Sequence, residues 1–411
     1  MKILMCHKFH FLAGGAERYL FDLRKGLSKL GHTVIDFSTQ NVRNEYSDYS
    51  GYFVKGINFS EISTRRPIYN IKAALNFIYS FEAKENIERL IDDFKPDVAH
   101  IHNIYHHLSA SVLDILRKRR IPIIMTLHDY KLACPNYSLF IQGMPCERCK
   151  HKKYFNAIIH KCLKDSYMAS ILACLEMYFC NTFKIYENNV DLFIAPSIFT
   201  KNKMIDFGID AKKIHHLPYV IDLECFMPDF ENGKYILYFG SLSHKKGVQT
   251  LLKSATYLKN LPIKIIGDGP QRAELEQLAH KERLLNVEFL GYKQGDELAR
   301  FIRDAIFVVV PSEWYEVSGL NIYESFASGK CVIGADTGGI PELIEDGYTG
   351  LLFRSGDPND LVRKIFYLTQ HPQRIEEWGR NAYRKIHNLN NPLSHYQELL
   401  NIYDNPISKY S

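Results

Sequence analysis

Short apolar runs rich in Ile, Val and Leu recur along the chain, separated by stretches of helix length. Few of them alternate apolar with polar residues, as a strand with one wet face would. Runs of this kind fit strands buried on both faces, in parallel sheets covered by helices. A first series of strands is predicted at Lys2–Cys6, Thr33–Phe37, Asp97–Ile101, Ile121–Leu127 and Asp191–Ala195. A second is predicted at Tyr235–Phe239, Ile263–Ile266, Val287–Leu290, Ile306–Val310, Cys331–Gly334 and Gly350–Phe353. Between Leu217 and Gly233, Pro218, Pro228, Asn232 and Gly233 break the periodicity and mark a join. Helices near Pro372–His387 and Leu393–Tyr403 close the chain. The expectation is an α/β protein with two doubly wound domains, 1–217 and 218–390, facing each other across a cleft; residues 391–411 form a helix that crosses back to the first domain.

Length agrees with two domains, because 411 residues exceed what one hydrophobic core usually serves. Apolar residues at 46% and charged residues at 24% describe a globular enzyme and exclude a fibrous or disordered chain. No apolar run reaches the roughly 18 residues needed to span a bilayer, and the start turns polar too early for a secretory signal. A cytoplasmic location is expected, and nine cysteines there are better read as thiols or metal ligands than as a disulfide framework. The net charge of +5 hides a division. Residues 1–220 carry 30 Lys+Arg against 21 Asp+Glu, and the remainder 21 against 25. The basic clusters Arg117–Arg120 and Lys150–Lys153 suit anionic headgroups or a phosphate-bearing acceptor at the inner face of a membrane, or else form a solvated face. No nucleic-acid partner is expected.

The stretch Pro311-Ser312-Glu313-Trp314-Tyr315-Glu316-Val317-Ser318-Gly319-Leu320 carries the chemistry. A buried strand ends at Pro311, and a helix is expected to begin near Ser318. Backbone N–H groups of Ser318, Gly319 and Leu320, with the positive end of the helix dipole, make a site for a diphosphate. Glu316 stands just before this helix and Glu324 about one and a half turns inside it, one carboxylate for the sugar and one for the ribose. A double lysine, Lys245-Lys246, precedes Gly247 where a helix start would favour anions, which points to a bound phosphate.

Glu316 and Glu324, with seven residues between them, resemble the Glu-x7-Glu signature of the retaining glycosyltransferases with the GT-B fold. The likeness extends over Gly14-Gly15-Ala16-Glu17, Thr126-Leu127-His128-Asp129, Gly240-Ser241-Leu242, Gly267-Asp268-Gly269-Pro270, Gly291-Tyr292 and Gly338-Gly339-Ile340-Pro341-Glu342. The resemblance implies a nucleotide-diphosphate sugar donor and a glycan or lipid-linked acceptor, as in bacterial cell-surface polysaccharide synthesis, with no catalytic cofactor. Glu316, His128 and Lys246 would be catalytic. Gly15, Ser241, Lys246, Gly291, Tyr292, Ser318, Gly319, Leu320 and Glu324 would hold the donor. Many members of the family carry an arginine where this chain has Ser241, which leaves His244, Lys245 or another arginine to supply that charge.

His102 and Asn103 are placed on the acceptor side, and Arg65–Tyr69 on the membrane side. Cys134, Cys146, Cys149 and Cys162, in an insertion at 130–165, have the spacing of a structural zinc site; four reduced thiols are the other reading. Other readings of the whole chain are a nucleotide-sugar epimerase and an inactive nucleotide-sugar-binding subunit. A dinucleotide oxidoreductase lacks its glycine fingerprint here.

Overall fold

Apolar stretches such as Ile-Leu-Met-Cys at 3–6 and Ile-Phe-Val-Val-Val at 306–310 are long enough for a strand and too short for a helix, and they pair in parallel. The computed structural model describes residues 1–56, 76–231 and 233–410. Arg65–Tyr69, expected at a membrane, lies outside them. The chain divides into two units, one of residues 1–139, 147–221 and 392–411, the other of 140–146 and 222–391.

In the first unit six parallel strands form one sheet: β1 (Lys2–Cys6), β2 (Thr33–Phe37), β3 (Val98–Ile101), β4 (Ile123–Thr126), β5 (Leu192–Ala195) and β6 (Ile214–His216). Their order is β6-β5-β4-β3-β1-β2. Strand β6 was not expected, since a three-residue strand containing two histidines shows no apolar run. Helices α1 (Gly15–Lys29), α2 (Phe81–Phe94), α3 (Ser111–Lys118), α4 (Tyr167–Thr182) and α5 (Ile198–Asp206) connect the strands. Ser80, Ser166 and Ser197 cap α2, α4 and α5, each accepting a backbone N–H three residues on.

The second sheet holds β7 (Tyr235–Phe239), β8 (Ile263–Ile266), β9 (Val287–Gly291), β10 (Ala305–Val310), β11 (Val332–Ala335) and β12 (Gly350–Phe353). They are ordered β9-β8-β7-β10-β11-β12, all parallel. Helices α6 (Val248–Ala255), α7 (Arg272–Lys281), α8 (Gly295–Arg303), α9 (Leu320–Ala327), α10 (Pro358–Thr369) and α11 (Pro372–Leu389) cover it.

The last helix, α12 (Pro392–Tyr410), belongs to the first unit. Tyr403 Oη lies 2.6 Å from His100 Nδ1 in β3, and His395 Nε2 lies 3.2 Å from Tyr19 Oη in α1. In each sheet the strand order reverses once, between β1 and β3 and between β7 and β10. The loops at the carboxyl ends of those strands are where an open parallel sheet binds ligands.

Candidate active site

In the second unit, the loop after β10 passes through Ser312, Trp314 and Glu316 before α9 begins. All three are buried. Glu316 Oε2 accepts from Lys246 Nζ at 2.7 Å, Ser312 Oγ at 2.9 Å and Trp314 Nε1 at 3.0 Å. Burial alone would raise this carboxyl, but the Lys246 ammonium and the two neutral donors outweigh it and hold the group below the usual carboxylate range. Glu316 is therefore an ionised, oriented carboxylate in a largely dry setting.

Backbone contacts fix this geometry. Lys246 ends a short turn, His244–Lys246, in the loop after β7, and the Lys245 carbonyl accepts from Glu313 N at 2.9 Å and Trp314 N at 3.3 Å. Gly247 follows with φ +68°, and a Cβ there would stand 1.8 Å from the Pro311 carbonyl oxygen, so no larger residue fits. On the other side, Gly339 N donates to the Glu316 carbonyl at 2.7 Å. A Cβ on Gly338, at φ +61°, would lie 2.2 Å from Glu316 N. The stretch Gly338–Glu342, noted in the sequence for its likeness, thus clamps the backbone of Glu316. Lys245 stacks its ammonium 4.0 Å from the Trp314 ring.

Helix α9 starts at Leu320, two residues later than expected, because Gly319 takes the left-handed conformation (φ +78°) as its N-cap. No side chain caps that terminus. Glu324 consequently sits about one turn inside the helix. It is buried. Ser318 is buried just ahead of Gly319. Ser241, where an arginine was missed, offers its carbonyl to Tyr238 Oη at 2.8 Å. Gly291 ends β9 at φ +71° with the Arg272 guanidinium beside it, so an arginine does reach this end of the sheet from α7. Tyr292 is exposed.

The expected residues of the first unit fall at the ends of β1, β3 and β4. His128 Nε2 lies 2.7 Å from His102 Nδ1, and His128 Nδ1 2.6 Å from Tyr219 Oη. Burial and the neighbouring ring or lysine charges hold both histidines well below the ordinary value, so both are neutral. With Tyr219 donating to His128, the imidazoles pass the donor role along and leave His102 Nε2–H pointing outward from the chain of bonds. That nitrogen is buried without a protein partner. Asn103 Oδ1 lies 2.5 Å from Tyr105 Oη. Gly15 is the first residue of α1, behind the N-cap Gly14. His7 and Tyr219 were not singled out from the sequence.

The four cysteines are not gathered together: among the described residues no three His, Cys, Asp or Glu side chains form a group able to hold a metal ion. The Cys134 thiol donates to Asn136 Oδ1 at 2.9 Å and neighbours Cys149, while Cys146 falls in the second unit. His100, His102, His106 and His107, close together in the sequence after β3, likewise form no metal group among the described residues: His100 is held between Tyr403 and Thr126, and His106 faces Glu176.

The chain has relatives among known proteins. A family model described as Glycosyltransferase Family 4 matches residues 13–225, just over half of the chain, and one described as Glycosyl transferases group 1 matches residues 227–385. The chain belongs to glycosyltransferase family 4. Among its relatives, this family 4 glycosyltransferase is 27% identical over 361 residues to an uncharacterised 42.6 kDa protein in the cps region of Klebsiella pneumoniae, covering 84% of this chain and 87% of that one. It is 25% identical over 382 residues to an uncharacterised glycosyltransferase of Methanocaldococcus jannaschii, covering 93% and 92%. In fold, the GT-B enzyme sucrose-phosphate synthase from Thermosynechococcus elongatus superposes with a TM-score of 0.73 at 19% identity, over 99% of each chain. Anabaena HepE in complex with UDP and glucose gives 0.68 at 17% identity, over 98% of this chain and 99% of that one.

Proposed function

We propose that this glycosyltransferase moves a sugar, with retention at the anomeric carbon, from a nucleotide-diphosphate donor to a glycan or lipid-linked acceptor in cell-surface polysaccharide synthesis. The observation that carries the reading is the ionised Glu316 held by Lys246, Ser312 and Trp314 at the strand-order reversal, with the uncapped start of α9 just beyond. The donor belongs to the second unit. The diphosphate faces the N-terminus of α9 through Ser318, Gly319 and Leu320, and Glu324 accepts from the ribose hydroxyls.

As the bond to the sugar breaks, negative charge grows on the leaving diphosphate. We assign its stabilisation to Lys246 and the helix terminus, and the charge that Ser241 lacks to Arg272 beside Gly291, once it leaves Glu276, which now holds it at 2.9 Å. In the unliganded chain Lys246 is bound to Glu316, so an arriving diphosphate competes for its ammonium and leaves Glu316 a free lone pair for a sugar hydroxyl. We assign no general base; the departing phosphate takes the acceptor proton. The acceptor is assigned to the first unit, where His102, Asn103 and His128 lie at the ends of β3 and β4. Relatives support the setting: one is a protein of a cps region, and a structural neighbour is a complex with UDP and glucose.

The test is thermal-shift screening with UDP-, GDP- and ADP-sugars, followed by transfer with the donor that binds and proton NMR of the new linkage. Stabilisation by one donor and an anomeric configuration matching it are expected. An inverted product, or no stabilisation by any donor, would sink the proposal.

A further inference from the structure

Helix α4 is apolar on its outward face as well as its inward one. A surface helix puts small and large apolar residues inward and charges outward. In α4 the inward face carries Ser170, Ala173, Cys174, Met177 and Cys180, and the single charged residue, Glu176, points inward too. Its carboxylate is buried against Lys131 Nζ at 2.6 Å and His106 Nδ1 at 3.3 Å. Outward, at helical spacing, stand Met168, Leu175 and Tyr178, with Leu175 51% and Met168 68% exposed. Phe155 and Ile159, on the turns before α4, and Phe183, just after it, are exposed as well. So much adjoining apolar surface marks a contact surface.

The charges around it have one sign. Residues 148–184 contain seven Lys+Arg (Arg148, Lys150, Lys152, Lys153, Lys161, Lys164, Lys184) and two Asp+Glu, of which Glu176 is buried. Among the described residues no carboxylate pairs with Lys150, Lys152, Lys153, Lys161 or Lys184. The other basic cluster behaves differently: Arg119 is paired with Glu88 and Asp92, and Arg117 with Asp191. Along the chain these lysines lie on both sides of the apolar stripe. Lys161 Nζ stands 4.7 Å from the Tyr167 ring. The segment after Lys153 is tied to the far half of α4, with Tyr154 packed on Cys174 and Met177 and its ring 5.2 Å from that of Tyr178.

We infer that α4 and the preceding segment 150–164 form a membrane-docking face that lies in the interface of an anionic bilayer, its apolar stripe among the acyl chains and its lysines at the phosphates. Among the described residues no helix is long and apolar enough to cross a membrane. Sixteen residues with aromatic and lysine flanks suit the interface plane instead. A second copy of the chain fits poorly, because it would bring two basic rims together. This face goes beyond the transfer chemistry and does not depend on it.

The full chain would be sedimented with sucrose-loaded vesicles of phosphatidylcholine, with and without phosphatidylglycerol. Binding to the anionic vesicles that weakens with salt is expected. A Lys150→Ser, Lys152→Ser, Lys153→Ser variant should bind about a hundredfold more weakly, at about fivefold per lysine near the surface. Leu175→Asp should lose about tenfold or more. Apart from the half-buried Lys150 these changes lie on exposed side chains, so the melting temperature should hold, and Met168→Asp repeats the test if Leu175→Asp unfolds. The inference is overturned if the wild-type chain ignores both vesicle types, or if both variants bind like wild type. It is also overturned if Leu175→Asp dissociates a dimer without affecting vesicle binding. Because vesicle binding is read without donor or acceptor, failure here leaves the transferase proposal untouched, and loss of transfer leaves this one untouched.

Discussion

Lowering the pH from 7.5 to 5 should unfold the first unit while leaving the second intact. The buried histidines among the described residues are His7, His10, His100, His102, His106, His128 and His395, and all belong to the first unit. Desolvation lowers His7 and His100 to about 3, and His106 and His395 to about 4, and it holds His102 and His128 well below the ordinary value. In the unfolded chain each takes a proton near pH 6.5. The unfolded state therefore binds more protons below that pH, and stability falls as pH falls. For the four held at about 3 to 4 the folded value lies below pH 5, so the loss depends on the unfolded value alone: about 1.5 pH units, or about 2 kcal/mol per histidine. These four remove about 8 kcal/mol, and His102 and His128 act in the same direction, against typical domain stabilities of about 5–15 kcal/mol. Glu17, raised by burial, returns part of this as it protonates. Both tryptophans, Trp314 and Trp378, lie in the second unit. Urea titrations at both pH values, followed by tryptophan emission and far-ultraviolet circular dichroism, would separate the units. At pH 5 the dichroism should drop at low urea while the emission holds. Coincident transitions, or a dichroism curve unmoved between the two pH values, would refute the reasoning. In His100→Gln the pH dependence between 5 and 6 should shrink by about one proton.

Lys246→Ala leaves Glu316 buried without its cation; about 3 kcal/mol of stability should be lost in urea melts, together with most of the transfer rate. Glu316→Ala should lower kcat far more than donor affinity, whereas Glu324→Ala should weaken the donor in a calorimetric titration. Gly338→Ala should distort Glu316 and reduce transfer about a hundredfold while circular dichroism shows the fold retained, because its Cβ would stand 2.2 Å from the Glu316 nitrogen. Tyr403→Phe removes the partner of His100 Nδ1, so about 1–3 kcal/mol should be lost from the first unit without change in kcat.

The strands were legible because a parallel sheet covered on both faces writes itself as continuous apolar runs, and Lys2–Cys6 or Tyr235–Phe239 could be delimited to the residue. Strand β6 could not, since Ile214–His216 is held by pairing with β5 rather than by its own composition. At the site, the residues of the loop before α9 stand together in the sequence, so Ser312, Trp314 and Glu316 could have been grouped. The pairing of Glu316 with Lys246, 70 positions away, is tertiary. The same is true of His128, whose partners His102 and Tyr219 are 26 and 91 positions distant. Helix α9 began late because a single left-handed glycine outweighed the local propensity for helix. The cysteine spacing by itself leaves the choice between a zinc site and reduced thiols open, because spacing does not say which way a thiol points.

The return of α12 to the first unit has a consequence for synthesis. Translation usually lets the N-terminal domain fold first. Here the first unit needs Tyr403 and His395, which leave the ribosome after all of residues 222–391. The second unit, nearly continuous in the chain, can be complete while the first still has β3 without its covering helix and His100 without its phenol. The later-made half should be the earlier to mature, and a nascent chain stalled before residue 392 should expose the first half to proteases and chaperones.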